Sequence, residues 1–303
     1  MVHWTSSFKT MKFIKLILTA FLLVTAGCAS GSKEDTVIMN ENGINTVKMD
    51  DREMGWFRFG NENGPKVIIL PGLSLKSVMG SKDAVIAGYS LLAADYDVYL
   101  FDRVRVMPET YDIEAMADDT LRAVKAIGLE NVNVMGVSQG AMIGLMMELK
   151  DPDAVNSLML CSASSRIHDR SALETWKKLA EERNLPALME SFGEYVYTPS
   201  FFEQYKDLIL ASGNGATEQN YKNFITAVEG TLAFDCYDRL KDIHCPSLVI
   251  GASEDRVLGV QASYDLAQEL HSEIFIYEGY GHGVYDEAPD YLTHIKQFLD
   301  KVN

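Results

Sequence analysis

From Lys66 onward the chain is punctuated by short, uninterrupted apolar runs: Val67–Leu70, Val98–Phe101, Val132–Met135, Leu158–Cys161, Leu248–Ile250 and Ile274–Tyr277. Runs this short, apolar on both faces, predict buried parallel strands. Between most of them the apolar residues recur at helical spacing: Met116, Leu121, Val124 and Ile127, then Met142, Leu145 and Met146, then Leu266 and Leu270. Strands alternating with helices predict an α/β fold with a doubly wound, mostly parallel sheet. Ahead of them, Ile44–Met49 and Gly55–Phe59 alternate around the turn residues Asp50 and Asp51, the signature of an antiparallel hairpin.

One interval breaks the rhythm. Residues 164–240 contain no strand pattern but carry helical periods rich in aromatics, among them Trp176, Phe192, Tyr195, Tyr197, Phe201, Phe202, Tyr205, Tyr221 and Phe224. So long a structureless loop is foreign to a compact domain, which predicts a helical cap inserted between core segments 44–163 and 241–303. The aromatics then either build the cap's own core or line a site for an apolar group.

The amino terminus has a different character. Residues 1–27 carry Lys9, Lys12 and Lys15 without a carboxylate, followed by the uncharged stretch Leu16–Ala26 and then Gly27-Cys28-Ala29-Ser30. That stretch is too short for a bilayer core, which needs roughly 20 helical residues. A basic segment, a short apolar segment and small residues before a break form the pattern of an export signal over residues 1–27, with Met11 as an alternative start. The ending Val24-Thr25-Ala26-Gly27-Cys28 resembles a bacterial lipobox, which implies a lipidated Cys28, a linker over residues 28–43 and attachment to the outer face of a bacterial membrane. A plain secretory signal, with Cys28 incidental, is the alternative.

Charge sharpens this picture. The chain has 27 Lys and Arg against 43 Asp and Glu, a net of −16, and loss of the three lysines in residues 1–27 takes it to −19. A protein gripping nucleic-acid phosphates needs clustered basic side chains, so nucleic acid is excluded as a partner. Three cysteines follow Cys28. Cys161, Cys236 and Cys245 lack metal or redox spacing, and Cys236 with Cys245 either pair or stand as small buried hydrophobes.

The chemistry centres on Gly136-Val137-Ser138-Gln139-Gly140, which follows the run Val132–Met135 and precedes a helical pattern over Ala141–Leu149. Strand, G-x-S-x-G and helix together form a nucleophile elbow, in which Gly136 and Gly140 permit the tight turn that exposes the Ser138 hydroxyl at a helix N-terminus. A serine needs a base. Of the histidines, only His282 lies just past the last strand in a loop of small residues, Gly279-Tyr-Gly-His-Gly283; His3 falls in the export segment, His244, His271 and His294 read as structural, and His168 is undecided. The acid that orients the base is Asp255 in Gly251-Ala-Ser-Glu-Asp-Arg256, with Glu254 as the runner-up because spacing does not decide between neighbours. For an oxyanion, the turn Pro71-Gly72-Leu73 after the first core strand supplies the N–H of Leu73, and the elbow supplies the N–H of Gln139.

In the order Ser138…Asp255…His282, with its Pro-Gly loop and its turn glycines, the chain resembles the α/β-hydrolase superfamily over about residues 50–302. The resemblance implies a hydrolase of esters or related acyl bonds working through an acyl-enzyme, on a small-molecule substrate, with no cofactor and no metal. Pro71-Gly72 stands where many relatives have His-Gly, and Phe101-Asp-Arg-Val-Arg-Val-Met-Pro108 stands where many have a D-x-R-G-x-G-x-S turn. A carboxylesterase is the first reading. An aminopeptidase or amidase is the second, with Glu190, Glu194 and Glu203 as candidate holders of a substrate ammonium, and a non-catalytic binding lipoprotein is the third.

Overall fold

The computed structural model describes residues 35–303; the expected export segment and Cys28 lie outside them. Nine strands among the described residues form one sheet: β1 (Thr36–Ile38), β2 (Asn45–Met49), β3 (Arg52–Gly60), β4 (Lys66–Leu70), β5 (Asp97–Val104), β6 (Val132–Val137), β7 (Val155–Cys161), β8 (Ser247–Ala252) and β9 (Glu273–Tyr277). Their spatial order is β1-β2-β3-β5-β4-β6-β7-β8-β9. The first three strands are antiparallel additions, and every pairing from β5–β4 to β9 is parallel.

Each apolar run works by alternation. Val67 and Ile69 face a layer containing Leu92, Phe298 and Leu299, whereas Ile68 and Leu70 face one containing Leu121, Met142 and Leu145. Helices thus cover both sides, which is why these strands read as continuously apolar. Burying each such side chain contributes about 1.5–3 kcal/mol, so the two layers supply most of the drive to fold. The hairpin forms as expected, with Asp50 taking the left-handed turn conformation at φ 56°.

Strand β1 is a departure, because it lies inside the interval 28–43 expected as linker. It pairs with β2 from Thr36↔Lys48 to Ile38↔Thr46, and Arg122 grips Asp35 just before it through Nε at 3.2 Å and Nη2 at 2.5 Å. Both supports come from distant residues, so a three-residue run carries no local signal for them.

Between β7 and β8 four α-helices occupy the aromatic interval: Ser171–Glu181, Leu185–Val196, Pro199–Ser212 and Glu218–Leu232. Their starts are written locally. Asn184 caps the second and Thr198 the third, each with proline in the first turn, and Thr217 and Asn220 form a reciprocal capping box on the fourth. Trp176 is buried and packs tilted against Phe192 with ring centres 4.7 Å apart, joining the first two cap helices.

Candidate active site

Sheet topology places the site. The chain runs outward from β4 to β5 on one side and to β6 on the other, so the loops after β4 and β6 diverge at the centre of the sheet and leave a crevice between them. The loop after β6 is the elbow. Ser138 adopts φ 51° and ψ −117°, an unfavourable conformation for a residue with a Cβ, and caps the helix Gln139–Lys150. The flanking glycines are required by contact. A Cβ on Gly136 would sit 2.4 Å from the Ala141 Cα, and one on Gly140 would sit 2.0 Å from the Leu70 carbonyl oxygen.

The three separated residues meet. His282 Nε2 lies 3.0 Å from Ser138 Oγ, and His282 Nδ1 lies 2.8 Å from Asp255 Oδ2. A carboxylate only accepts, so Nδ1 carries the proton that is donated to Asp255, and Nε2 accepts from the serine hydroxyl. The other oxygen of Asp255 accepts the N–H groups of Val257 and Leu258 at 2.8 and 2.9 Å. Burial disfavours the charged carboxylate. The charge and hydrogen bond of His282 and those two N–H groups outweigh it and hold Asp255 below the usual range. Glu254 is exposed and lies off this line, its backbone N–H donating to the Tyr280 carbonyl.

The turn expected to supply an oxyanion donor closes over the serine. A Cβ on Gly72 would be 3.4 Å from Ser138 Cβ, so the Pro71-Gly72-Leu73 turn passes directly above the nucleophile. Gln139 opens its helix, and its N–H is one of the orphan donors of the first turn. Gly72, Leu73, Ser138, Gln139 and His282 line one cavity, roofed by Leu173, Trp176, Phe192 and Val196 of the cap. The cavity is about 20 Å³, enough for roughly one water.

Two contributors carry no pattern in the sequence. Ser162, at φ 47° just after β7, donates its hydroxyl to the His282 carbonyl at 2.7 Å and so anchors the loop that carries the imidazole. The Gln139 side chain, fully buried, donates to Ala227 O at 3.0 Å and Thr231 Oγ1 at 2.7 Å in the last cap helix. The G-x-S-x-G pattern gives the x before its last glycine no role, so only the cap's position reveals this bond.

The other candidates fall elsewhere. Glu190, Glu194 and Glu203 are exposed on the cap and outside the cavity lining, and Glu190 pairs with Lys206 at 2.7 Å. His168 is exposed and accepts from Arg166 Nε at 3.2 Å, while His294 stacks on Phe275. Cys161, Cys236 and Cys245 are unpaired, and burial pushes each thiol up to about 12. Cys28 lies outside the described residues.

A doubly wound sheet with a serine elbow, a histidine and a buried carboxylate at its carboxyl edge defines a class of fold, and comparison with known proteins agrees. The model of the alpha/beta hydrolase fold matches residues 65–289, and the chain belongs to that family of enzymes. Among curated relatives, a candidate carbamate hydrolase named RutD from Agrobacterium fabrum is 29% identical over 199 residues, 64% of this chain and 76% of that protein. Among solved structures, an enol-lactonase from Burkholderia xenovorans superimposes with a TM-score of 0.73 at 18% identity, covering 83% of this chain and 98% of that one. A thermophilic esterase from Thermogutta terrifontis gives 0.71 at 22%, covering 89% and 99%.

Proposed function

We propose that this hydrolase is a serine hydrolase that cleaves an ester or related acyl bond through an acyl-enzyme. The supporting observation is the continuous line of contacts from Ser138 through His282 to Asp255. Ser138 Oγ attacks the acyl carbonyl as His282 Nε2 takes its proton, and the carbonyl oxygen gathers charge against the N–H groups of Leu73 and Gln139. His282 then passes the proton to the leaving group. Water, deprotonated in turn by His282, attacks the acyl carbonyl, and Ser138 recovers its proton from the imidazolium as it leaves. Asp255 holds the tautomer and balances the imidazolium.

Apolar Leu173, Trp176, Phe192 and Val196 around the serine favour a small apolar acyl group, so a carboxylesterase is the reading that fits best. An aminopeptidase fits less well, because none of the three candidate glutamates reaches the cavity. The RutD relatives give carbamates a place beside esters in the test. A panel of short esters, lactones, carbamates and aminoacyl amides should give turnover on short esters, and Ser138→Ala should abolish it along with labelling by a fluorophosphonate. Labelling that persists in Ser138→Ala overturns the nucleophile; turnover of carbamates alone overturns the ester.

For the location we propose export and lipid attachment at Cys28, supported by the order of lysines, apolar stretch and small residues ahead of it. Ala29 and Ser30 place no acidic residue after the cysteine. Growth on labelled fatty acid should mark the wild type and spare Cys28→Ser, and equal labelling of the two would refute the anchor.

A further inference from the structure

Arg103 is the penultimate residue of β5, beside the crevice, with 9% of its side chain exposed. A buried guanidinium ordinarily sits against a carboxylate, because its charge has lost water. Here its hydrogen bonds all go to neutral acceptors. Nη1 donates to the Pro71 carbonyl at 3.1 Å and to Gln139 Oε1 at 3.1 Å, and Nη2 donates to Ser74 Oγ at 3.2 Å. Asp102 stands off at 3.8 Å and is held by other donors, the Ser77 hydroxyl at 2.6 Å and the Arg103 backbone N–H at 2.8 Å. Burial lowers the Arg103 pKa, but a guanidinium keeps its proton across the working range of proteins.

What the guanidinium holds matters more than its charge. Pro71 and Ser74 bracket the oxyanion loop, and the peptide following the gripped carbonyl carries the Leu73 N–H. The Pro71 oxygen would stand 2.8 Å from a Cβ on Gly140, so it is pressed against the elbow itself. Gln139, the third acceptor, carries the second N–H. One planar fork therefore ties together the two segments that supply the donors.

We propose that Arg103 is the positioning residue of the oxyanion hole, clamping the Pro71–Ser74 loop to Gln139 so that the Leu73 and Gln139 N–H groups keep a fixed separation. The proposal rests on the serine-hydrolase reading. It extends to the cap, because Gln139 Nε2 bonds to Ala227 and Thr231 and so links the clamp to the helix Glu218–Leu232. A lysine keeps the charge but not the fork, since one ammonium does not reproduce the guanidinium's planar set of donors.

The test compares wild type, Arg103→Lys and Arg103→Met on 4-nitrophenyl acetate, with active sites titrated by a fluorophosphonate. Affinity for an alkyl boronic acid, which forms a tetrahedral adduct on the serine, is measured alongside. Arg103→Met should lower kcat per titrated site by about 10²- to 10³-fold, the usual effect of losing an oxyanion donor, with KM within about threefold. Boronate affinity should fall in parallel, and the acid limb of the kcat/KM profile should stay in place because Asp255 and His282 are untouched. Arg103→Lys should fall about tenfold. A kcat per titrated site within threefold of wild type, or unchanged boronate affinity, overturns the proposal; if Arg103→Met does not fold, the same limits applied to Arg103→Lys decide. A Ser138→Ala control that still turns over condemns the serine reading instead.

Discussion

Asp255 is a carboxylate that burial opposes and its neighbours rescue. His282 and the N–H groups of Val257 and Leu258 together keep it ionised, which in the proposed mechanism makes it a fixed negative charge for the imidazolium. Asp255→Asn preserves shape but lets the side chain donate to Nδ1 and favours the wrong tautomer. Its kcat should fall by about 10⁴-fold, as in the chymotrypsin-type precedent, with labelling by the fluorophosphonate slowed to match. Stability follows the same sign. A folded pKa below the unfolded one stabilises the native state above the ordinary carboxylate range, and that contribution disappears as pH falls through the lower folded value. The gap in urea midpoint between wild type and Asp255→Asn should therefore be constant near neutrality and narrow only as pH falls below the ordinary aspartate value of about 4 and on through the lower folded value. At this scale the sequence was informative but incomplete. It placed Ser138 and His282 by their turns and left Asp255 beside Glu254, because adjacent residues share a spacing and only the folded loop decides which one is buried against the histidine.

The elements of the cap are locally written and globally seated. Asn184, Thr198 and Thr217 begin helices by capping rules that act over three or four residues, so those starts are legible from the chain. Where the helices settle is not. Gly230, in the last cap helix, lies so close to the core loop that a Cβ would meet the Tyr111 carbonyl oxygen at 2.4 Å. Gly230→Ala should push this helix away and strain the Gln139 bonds to Ala227 and Thr231. We expect a loss of about 1–3 kcal/mol in urea denaturation, typical of overpacking, together with a lower kcat. An unchanged midpoint would mean that the helix slides freely on the core. Strand β1 teaches the same lesson, since its pairing with β2 and the Arg122 contact with Asp35 come from residues far along the chain.

Across the molecule, the cavity at Ser138 has room for about one water, and its roof is the cap. For the proposed acyl substrates to reach Ser138, the cap must move. Reaction with a long-chain phosphonate should raise hydrogen exchange in the helices Ser171–Glu181 and Leu185–Val196 and leave β4, β6 and β7 protected. Uniform exchange in the labelled and unlabelled protein would leave the closed roof without a function. The charge of −16 enters at this scale too, since an anionic body is repelled by an anionic leaflet and gains nothing from a polybasic contact. The lipid attachment proposed at Cys28 would not depend on such a contact.

By itself the sequence determined the parallel core, the helical insertion and the serine elbow, because each depends on short-range periodicity or on turn glycines whose necessity is steric and local. Only the tertiary structure decided that Asp255 rather than Glu254 faces His282, that Ser162 braces the histidine loop, and that Gln139 and Arg103 join the oxyanion loop to the cap. These are contacts between residues 27 to 120 positions apart. Their geometry is fixed by how sheet and helices pack, and no local pattern encodes it.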